Sequence, residues 1–158
     1  MGIKIRKIEK KDEKNAYLFC ISIFDEMGWD KKFSKDLKNL AKKFSGKREV
    51  FFIAENNGEI VASGGINNLS EKTALMRRLY IASEFRGKGL ANLMLEKLKK
   101  FAEENGYAEI VLDVFKNNIR AKNFYQKNGF EDFKPAFYKN WQNLKYPKLF
   151  DYKKLKLK

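Results

Sequence analysis

Histidine is absent from this 158-residue chain, and cysteine occurs once, as Cys20. The first absence removes Ser–His–Asp and Cys–His catalysis and most zinc chemistry. The second excludes an intramolecular disulfide and a thiolate metal cluster, so no metal is expected. Proline is scarce, at two residues. No repeat, low-complexity tract or Pro/Gly/Ser-rich linker divides the sequence, which predicts a single domain over residues 1–158. No apolar run approaches the roughly 18 residues needed to cross a bilayer, and "MGIKIRKIEKKDEK" has no signal-peptide core. These absences predict a cytoplasmic protein without a membrane partner. A reacting site in such a chain must use tyrosine, carboxylates, lysine or arginine, main-chain amides or water.

Positive charge and aromatic residues are plentiful. Thirty-four basic residues against 20 acidic ones give a net charge of +14. Such a balance suits an anionic ligand or a nucleic acid. The excess is spread along the whole chain, however, and no nucleic-acid-binding motif accompanies it. A solvated, lysine-rich surface is the simplest reading, and no nucleic-acid partner is expected. Fourteen phenylalanines and 44% hydrophobic residues indicate a packed core.

Periodicity orders the elements. Ile3 and Ile5 alternate with polar residues in a first strand near 2–8. Residues 12–27 place Ala16, Phe19, Cys20, Ile23 and Met27 on one helical face. Ser34 reads as the N-cap of a second helix that runs to about 45 through Leu37, Leu40, Ala41 and Phe44. "EVFFIAE", "NNGE" and "EIVASGGIN" make a hairpin, and Gly64-Gly65 suggests a bulge in its second strand. A strand over about 72–82 leads into a helix over about 88–105, closed by Asn105-Gly106. "AEIVLDVF" is a buried strand, followed by a helix near 119–127, a strand from Gly129-Phe130 and a final edge strand in "FDYKKLKLK". The order β-α-α-β-β-β-α-β-α-β-β predicts an α/β (α+β) fold: a mixed, mostly antiparallel sheet of about seven strands flanked by helices.

"SEFRGKGLANLMLEKLKKFAEENG" (residues 83–106) carries the chemistry. Its glycines stand between a strand and a helix, where unpaired N–H groups and the positive end of the helix dipole converge. Glycine lets a bulky oxyanion approach the backbone, and Arg86 and Lys88 add charge. A phosphate or pyrophosphate fits; a plain tight turn with solvated basic residues is the alternative. The P-loop pattern GxxxxGK[ST] is absent. A Rossmann loop would need GxGxxG or GxGxxA, and Asn92 stands at the sixth position, although Asp113 lies at about the distance expected of a ribose-binding acid.

Arg86-Gly87-Lys88-Gly89-Leu90-Ala91 has the form R/Q-x-x-G-x-G/A, which resembles the coenzyme-A loop of the GNAT-type N-acetyltransferase superfamily. "VFKNNIRAKNFYQKNGF" (114–130) continues the resemblance through Asn118, Ala121, Tyr125, Lys127, Gly129 and Phe130. At the motif level the similarity covers about 73–130. It implies an acetyl-CoA-dependent N-acetyltransferase with a GNAT-like fold that acetylates a primary amine of a small molecule or peptide. Main-chain amides of Arg86, Gly87, Lys88, Gly89, Leu90 and Ala91 would hold the pyrophosphate. Leu79 and Ile81 would pair with the pantetheine arm, and Asn118 would contact the cofactor. Tyr125 would be the general acid that protonates the departing CoA thiolate, since a phenol of pKa about 10 is protonated at neutral pH. A homodimer is compatible with the resemblance.

The strand before the loop departs from the pattern. Many relatives carry a glutamate there, and this chain has Leu75 and Met76. Glu26, Asp25, Asp30 or a water relay are the alternatives for the base. Trp29, Phe137, Tyr138 and Trp141 are candidates for an aromatic acceptor wall. A non-catalytic acyl-CoA-binding domain is the main rival reading.

Overall fold

Every strand pairing but one among the described residues is antiparallel, and the exception opens the sheet. The computed structural model describes residues 2–158. Seven strands, β1 (Ile3–Lys7), β2 (Val50–Asn56), β3 (Glu59–Asn68), β4 (Thr73–Ile81), β5 (Glu109–Phe115), β6 (Glu131–Asp132) and β7 (Phe150–Lys156), form one sheet in the order β1-β2-β3-β4-β5-β7-β6. Only β4 and β5 run parallel. Four α-helices flank it: α1 (Glu13–Met27), α2 (Leu40–Lys43), α3 (Leu90–Glu104) and α4 (Ile119–Lys127). None of the helices among the described residues is long and apolar enough to cross a membrane.

Each layer follows from its sequence period. In α3, Leu90, Met94, Leu95, Leu98 and Ala102 are buried, an i, i+4, i+5, i+8, i+12 stripe. Met94, Leu95 and Leu98 are fully buried, each worth about 1.5–3 kcal/mol of apolar burial. They pack, with Tyr125 of α4, on the face of the sheet that carries Val50, Phe52, Met76 and Leu112. The opposite face holds α1 and the Lys31–Asn39 3₁₀ segment around Cys20, Phe24, Leu37, Leu40 and Phe51. The β2–β3 hairpin turns at Asn57-Gly58, both with positive φ (54° and 83°), as a type I′ turn requires.

Four details differ from the sequence expectation. The second helical segment is mostly 3₁₀ and starts earlier: Asp30, not Ser34, is its cap, accepting from the Lys32 N–H at 2.9 Å. A short carboxylate next to an extended residue outcompetes a serine that instead donates to the Lys31 carbonyl. The last strand is not an edge. β7 pairs with β5 on one side and β6 on the other, and β6, only two residues long, is the edge. Gly129, at φ 88°, ends α4 and precedes that strand instead of starting it.

The fourth concerns the bulge. The register between β3 and β4 breaks between Ser63 and Gly65, where Ser63 faces Tyr80 and Gly65 faces Arg77. The extra residue therefore lies on β4, where Arg78 takes φ 59°. Gly64 and Gly65 serve close packing: a Cβ on Gly64 would meet Leu98 Cδ1 at 2.9 Å, and one on Gly65 would meet Phe44 Cε2 at 2.7 Å.

Candidate active site

The parallel β4–β5 pair is bonded only at its start, through Thr73–Glu109, Ala74–Ile110 and Leu75–Val111. Beyond Leu75 and Val111 the two strands part. β4 stays paired to β3 as far as Ile81, and β5 stays paired to β7 as far as Phe115. The inner edges of both strands are thus left without a sheet partner, and such an edge invites an extended ligand to bond along it. A cavity of about 440 Å³ occupies the gap. It is lined from one face of the sheet by Leu79, Ile81, Ala91 and Tyr125, and from the other by Trp29, Phe33 and Tyr80.

At one mouth lies the glycine loop. Gly87 and Gly89 have φ 74° and 88°, and a Cβ on either would meet nothing within 4 Å. Their glycines therefore serve dihedral freedom and an open approach, not internal packing. Arg86 uses its own N–H internally, donating to the Ser83 carbonyl at 3.3 Å. Among the described residues no protein acceptor takes the N–H of Gly87, Lys88 or Gly89. The first turn of α3 follows at once; the N–H groups of Leu90, Ala91 and Asn92 have no helical partner by construction of an α-helix, whereas Leu93 already donates to Gly89 at 3.1 Å. Six consecutive N–H groups at the positive end of a 15-residue helix make an oxyanion cradle. The Arg86 guanidinium is held by the Ile81 carbonyl at 3.0 Å and by Glu26 at 2.5 and 2.9 Å.

Asn118 caps α4, accepting from the Ala121 N–H at 3.3 Å, and also lines the cavity. Tyr125, one of the helix's inward residues, is 8% exposed and packs against Phe124 and Phe130. Its side chain reaches the cavity, and no protein group among the described residues hydrogen-bonds its hydroxyl. Burial, helped by the neighbouring Tyr80 and Asp113, pushes this phenol well above its ordinary range. It is therefore protonated throughout the physiological range.

The opposite face is built from charges that the bulge brings together. Successive strand residues normally point to opposite sides; here Arg77 and Arg78 both reach Asp36 of the 3₁₀ segment. Arg78 takes that carboxylate with two nitrogens and also donates to the Phe33 carbonyl at 2.6 Å and the Tyr80 hydroxyl at 3.0 Å. These bonds hold the left-handed backbone at Arg78 in place. Burial alone would raise the Asp36 carboxyl, but Arg78 and Arg77 more than offset it and leave it below the usual carboxylate range. Across the gap on β5, Asp113 accepts from Trp141 Nε1 at 2.7 Å and Asn143 Nδ2 at 2.9 Å. An aromatic group surrounds them: Trp29 lies 4.9 Å from Phe115, and Phe33 lies 5.6 and 5.4 Å from Phe115 and Phe150.

The residues singled out from sequence divide between cavity and surroundings. Leu79, Ile81, Arg86, Gly87, Gly89, Ala91, Asn118 and Tyr125 line the cavity; the Lys88 side chain is exposed and the Leu90 side chain enters the core. Of the aromatic candidates only Trp29 lines it. Phe137 is 82% exposed, Tyr138 packs on Trp141, and Trp141 is buried as a donor to Asp113. Glu26, Asp25 and Asp30 are committed elsewhere, to Arg86, to Lys31 at 2.8 Å and to the Lys32 N–H. The hydrogen bonds from Arg86 hold Glu26 below the ordinary carboxylate range, which makes it a poorer base. Leu75 is core, and so is Cys20, whose thiol burial pushes up to about 12. The Rossmann alternative fails on topology, because β4–β5 is the single parallel pair of an otherwise antiparallel sheet among the described residues, and Asp113 is taken up by Trp141 and Asn143. Sequence reasoning did not find Arg77, Arg78, Asp36 or the functional place of Asp113. Only the two adjacent arginines in an otherwise apolar strand signalled it.

Comparison with known proteins agrees with this architecture. The chain is 26% identical over 145 residues to human N-acetyltransferase 8, covering 82% of this chain and 64% of that protein. It covers 51% of human N-acetyltransferase 8B, at 28% identity. An acetyltransferase of the GNAT family from Staphylococcus aureus superposes with a TM-score of 0.84 at 23% identity over 99% of both chains. The PaiA N-acetyltransferase of Thermoplasma acidophilum, solved in complex with coenzyme A, gives 0.75 at 18% identity, again over 99% of both. The family model described as acetyltransferase (GNAT) family matches residues 11–130, which contain the parted strands, the glycine loop and Tyr125, and the chain belongs to that family.

Proposed function

We propose that this protein transfers the acetyl group of acetyl-CoA directly to a primary amine of a small molecule or peptide. The observation that carries the reading is the convergence, in one cavity, of an unpaired β4 edge, an open glycine cradle and an unbonded, protonated phenol. The cosubstrate supplies a thioester whose acyl carbon is attacked by the amine. The N–H groups of Gly87 to Asn92 bind its phosphates, the free edge of Leu79–Ile81 lines its pantetheine arm, and Asn118 contacts it from α4. Main-chain N–H groups on that edge are placed to stabilise developing negative charge on the acyl oxygen. As the carbon–sulfur bond breaks, Tyr125 donates its phenolic proton to sulfur, and the amine releases its own proton to solvent. Burial raises the phenol, but the same cavity desolvates the thiolate, so proton transfer between them keeps roughly its balance in water.

One observation favours a second reading, a non-catalytic acyl-CoA-binding domain: among the described residues Asp113 is the only acidic side chain lining the cavity. The experiment separates the two. Purified protein is offered acetyl-CoA with a panel of primary amines, and free thiol is followed. Tyr125→Phe should lower turnover by about 100-fold or more with acetyl-CoA affinity unchanged. Binding without turnover on any amine would select the non-catalytic reading; equal turnover of variant and parent would remove Tyr125 as the acid.

A further inference from the structure

Arg77 and Asp113 face each other where the sheet opens. In the parallel register Leu75 pairs with Val111, so Arg77 and Asp113 are the next pair on the same face, one pleat repeat beyond the last bonded position. Both line the cavity. No ion pair within 4 Å joins them among the described residues.

Their other partners leave each of them with hydrogen-bonding capacity to spare. Asp36 is the one carboxylate shared by two guanidiniums, and Arg78 occupies it with two nitrogens. Arg77 is left with a 3.2 Å contact to Asp36 and a 3.3 Å bond to Asn67 Oδ1, and its side chain is 24% exposed against 9% for Arg78. Most of its five donors are therefore available to the cavity. Asp113 accepts only from the neutral Trp141 and Asn143. Its charge also bears on Arg77 and on Tyr125. Beside the pair stands the group of Trp29, Phe33, Phe115 and Phe150.

The geometry points to a free α-amino acid with an apolar or aromatic side chain as the acceptor. This rests on the acetyltransferase reading and specifies its substrate class. Arg77 takes the carboxylate through a forked pair of donors, Asp113 draws the ammonium toward the Tyr125 side of the gap, and the aromatic group seats the side chain. A peptide N-terminus or a simple amine leaves the Arg77 donors without a partner.

The test compares L-phenylalanine, L-phenylalaninamide and 2-phenylethylamine as acceptors for the unaltered protein, with acetyl-CoA binding measured separately by calorimetry. L-Phenylalanine should exceed the two compounds lacking a carboxylate by about 100-fold in kcat/KM, the scale of a desolvated guanidinium–carboxylate pair. Arg77→Met should abolish that preference while leaving acetyl-CoA affinity intact; the substrate series itself requires no variant. Equal or better use of the amide or the amine would overturn the inference and leave the acetyltransferase reading standing. Failure of acetyl-CoA to bind would overturn both.

Discussion

The two faces of the opened sheet line one cavity with different materials. The α3 face uses main chain: six N–H groups in a row, two glycines and the free edge of β4. The α1 face uses side chains: two arginines, two aspartates and a group of aromatics from α1's end, the 3₁₀ segment, β4, β5 and β7. A ligand held by main chain can be recognised by any sequence that folds this way. One held by side chains changes with each substitution.

The largest expected effect lies where the faces meet. Tyr125→Phe should cut turnover by about 100- to 10,000-fold with the acetyl-CoA dissociation constant unchanged, measured by thiol release and calorimetry. If both fall together, Tyr125 belongs to binding and not to proton transfer.

On the side-chain face, Asp36→Asn leaves Arg78 buried against a neutral amide. It should lower stability by about 3 kcal/mol, read from urea unfolding. The same carboxylate sets a pH signature. Because its folded pKa is depressed, its stabilisation is present above the unfolded carboxylate pKa and is lost as pH falls through the lowered folded value. Acid unfolding of the parent should therefore steepen below about pH 4, and Asp36→Asn should flatten that limb. An unchanged acid limb would show that the pair is not coupled to folding.

Gly89→Val should act on the main-chain face alone. A β-branched residue at φ 88° is strained by about 1–2 kcal/mol and obstructs the cradle. Acetyl-CoA affinity should fall by about tenfold or more, while the ratio of kcat/KM between two amines stays constant. A changed ratio would mean that the two faces are not independent.

The smallest effect belongs to Glu26→Gln, which frees Arg86 from a half-exposed pair. Stability should move by less than about 1 kcal/mol. Since Arg86 holds Glu26 below the ordinary carboxylate range, the pair persists from neutral pH into the acid range and opens only as pH falls through that lowered value. Any gain in anion binding by the variant should therefore be visible at neutral pH and vanish in strong acid.

The same contrast explains what the sequence disclosed. The glycine loop, Asn118 and Tyr125 lie within local stretches at fixed spacing, so the main-chain face was legible almost residue by residue. The order of elements along the chain was equally legible through periods of two and 3.6, apart from the 3₁₀ segment after Asp30 and the pairing of β7 on both sides. The α1 face is assembled from residues 29 to 150 by long-range pairing. Asp36 and Arg78 are 42 positions apart, and Trp141 and Asp113 are 28 apart. No local pattern marks such partners. The bulge shows the limit well: its glycines were visible, yet the extra residue was on the neighbouring strand, where Arg78 looks like any other arginine.

Whether the opened β4 edge and the glycine cradle together hold acetyl-CoA can be read from amide hydrogen exchange. Exchange would be followed with and without saturating acetyl-CoA, with NAD as control. New protection is expected at Leu79–Ile81 and at Gly87–Asn92 with acetyl-CoA alone. Binding that protects neither segment, or equal protection by NAD, would contradict it.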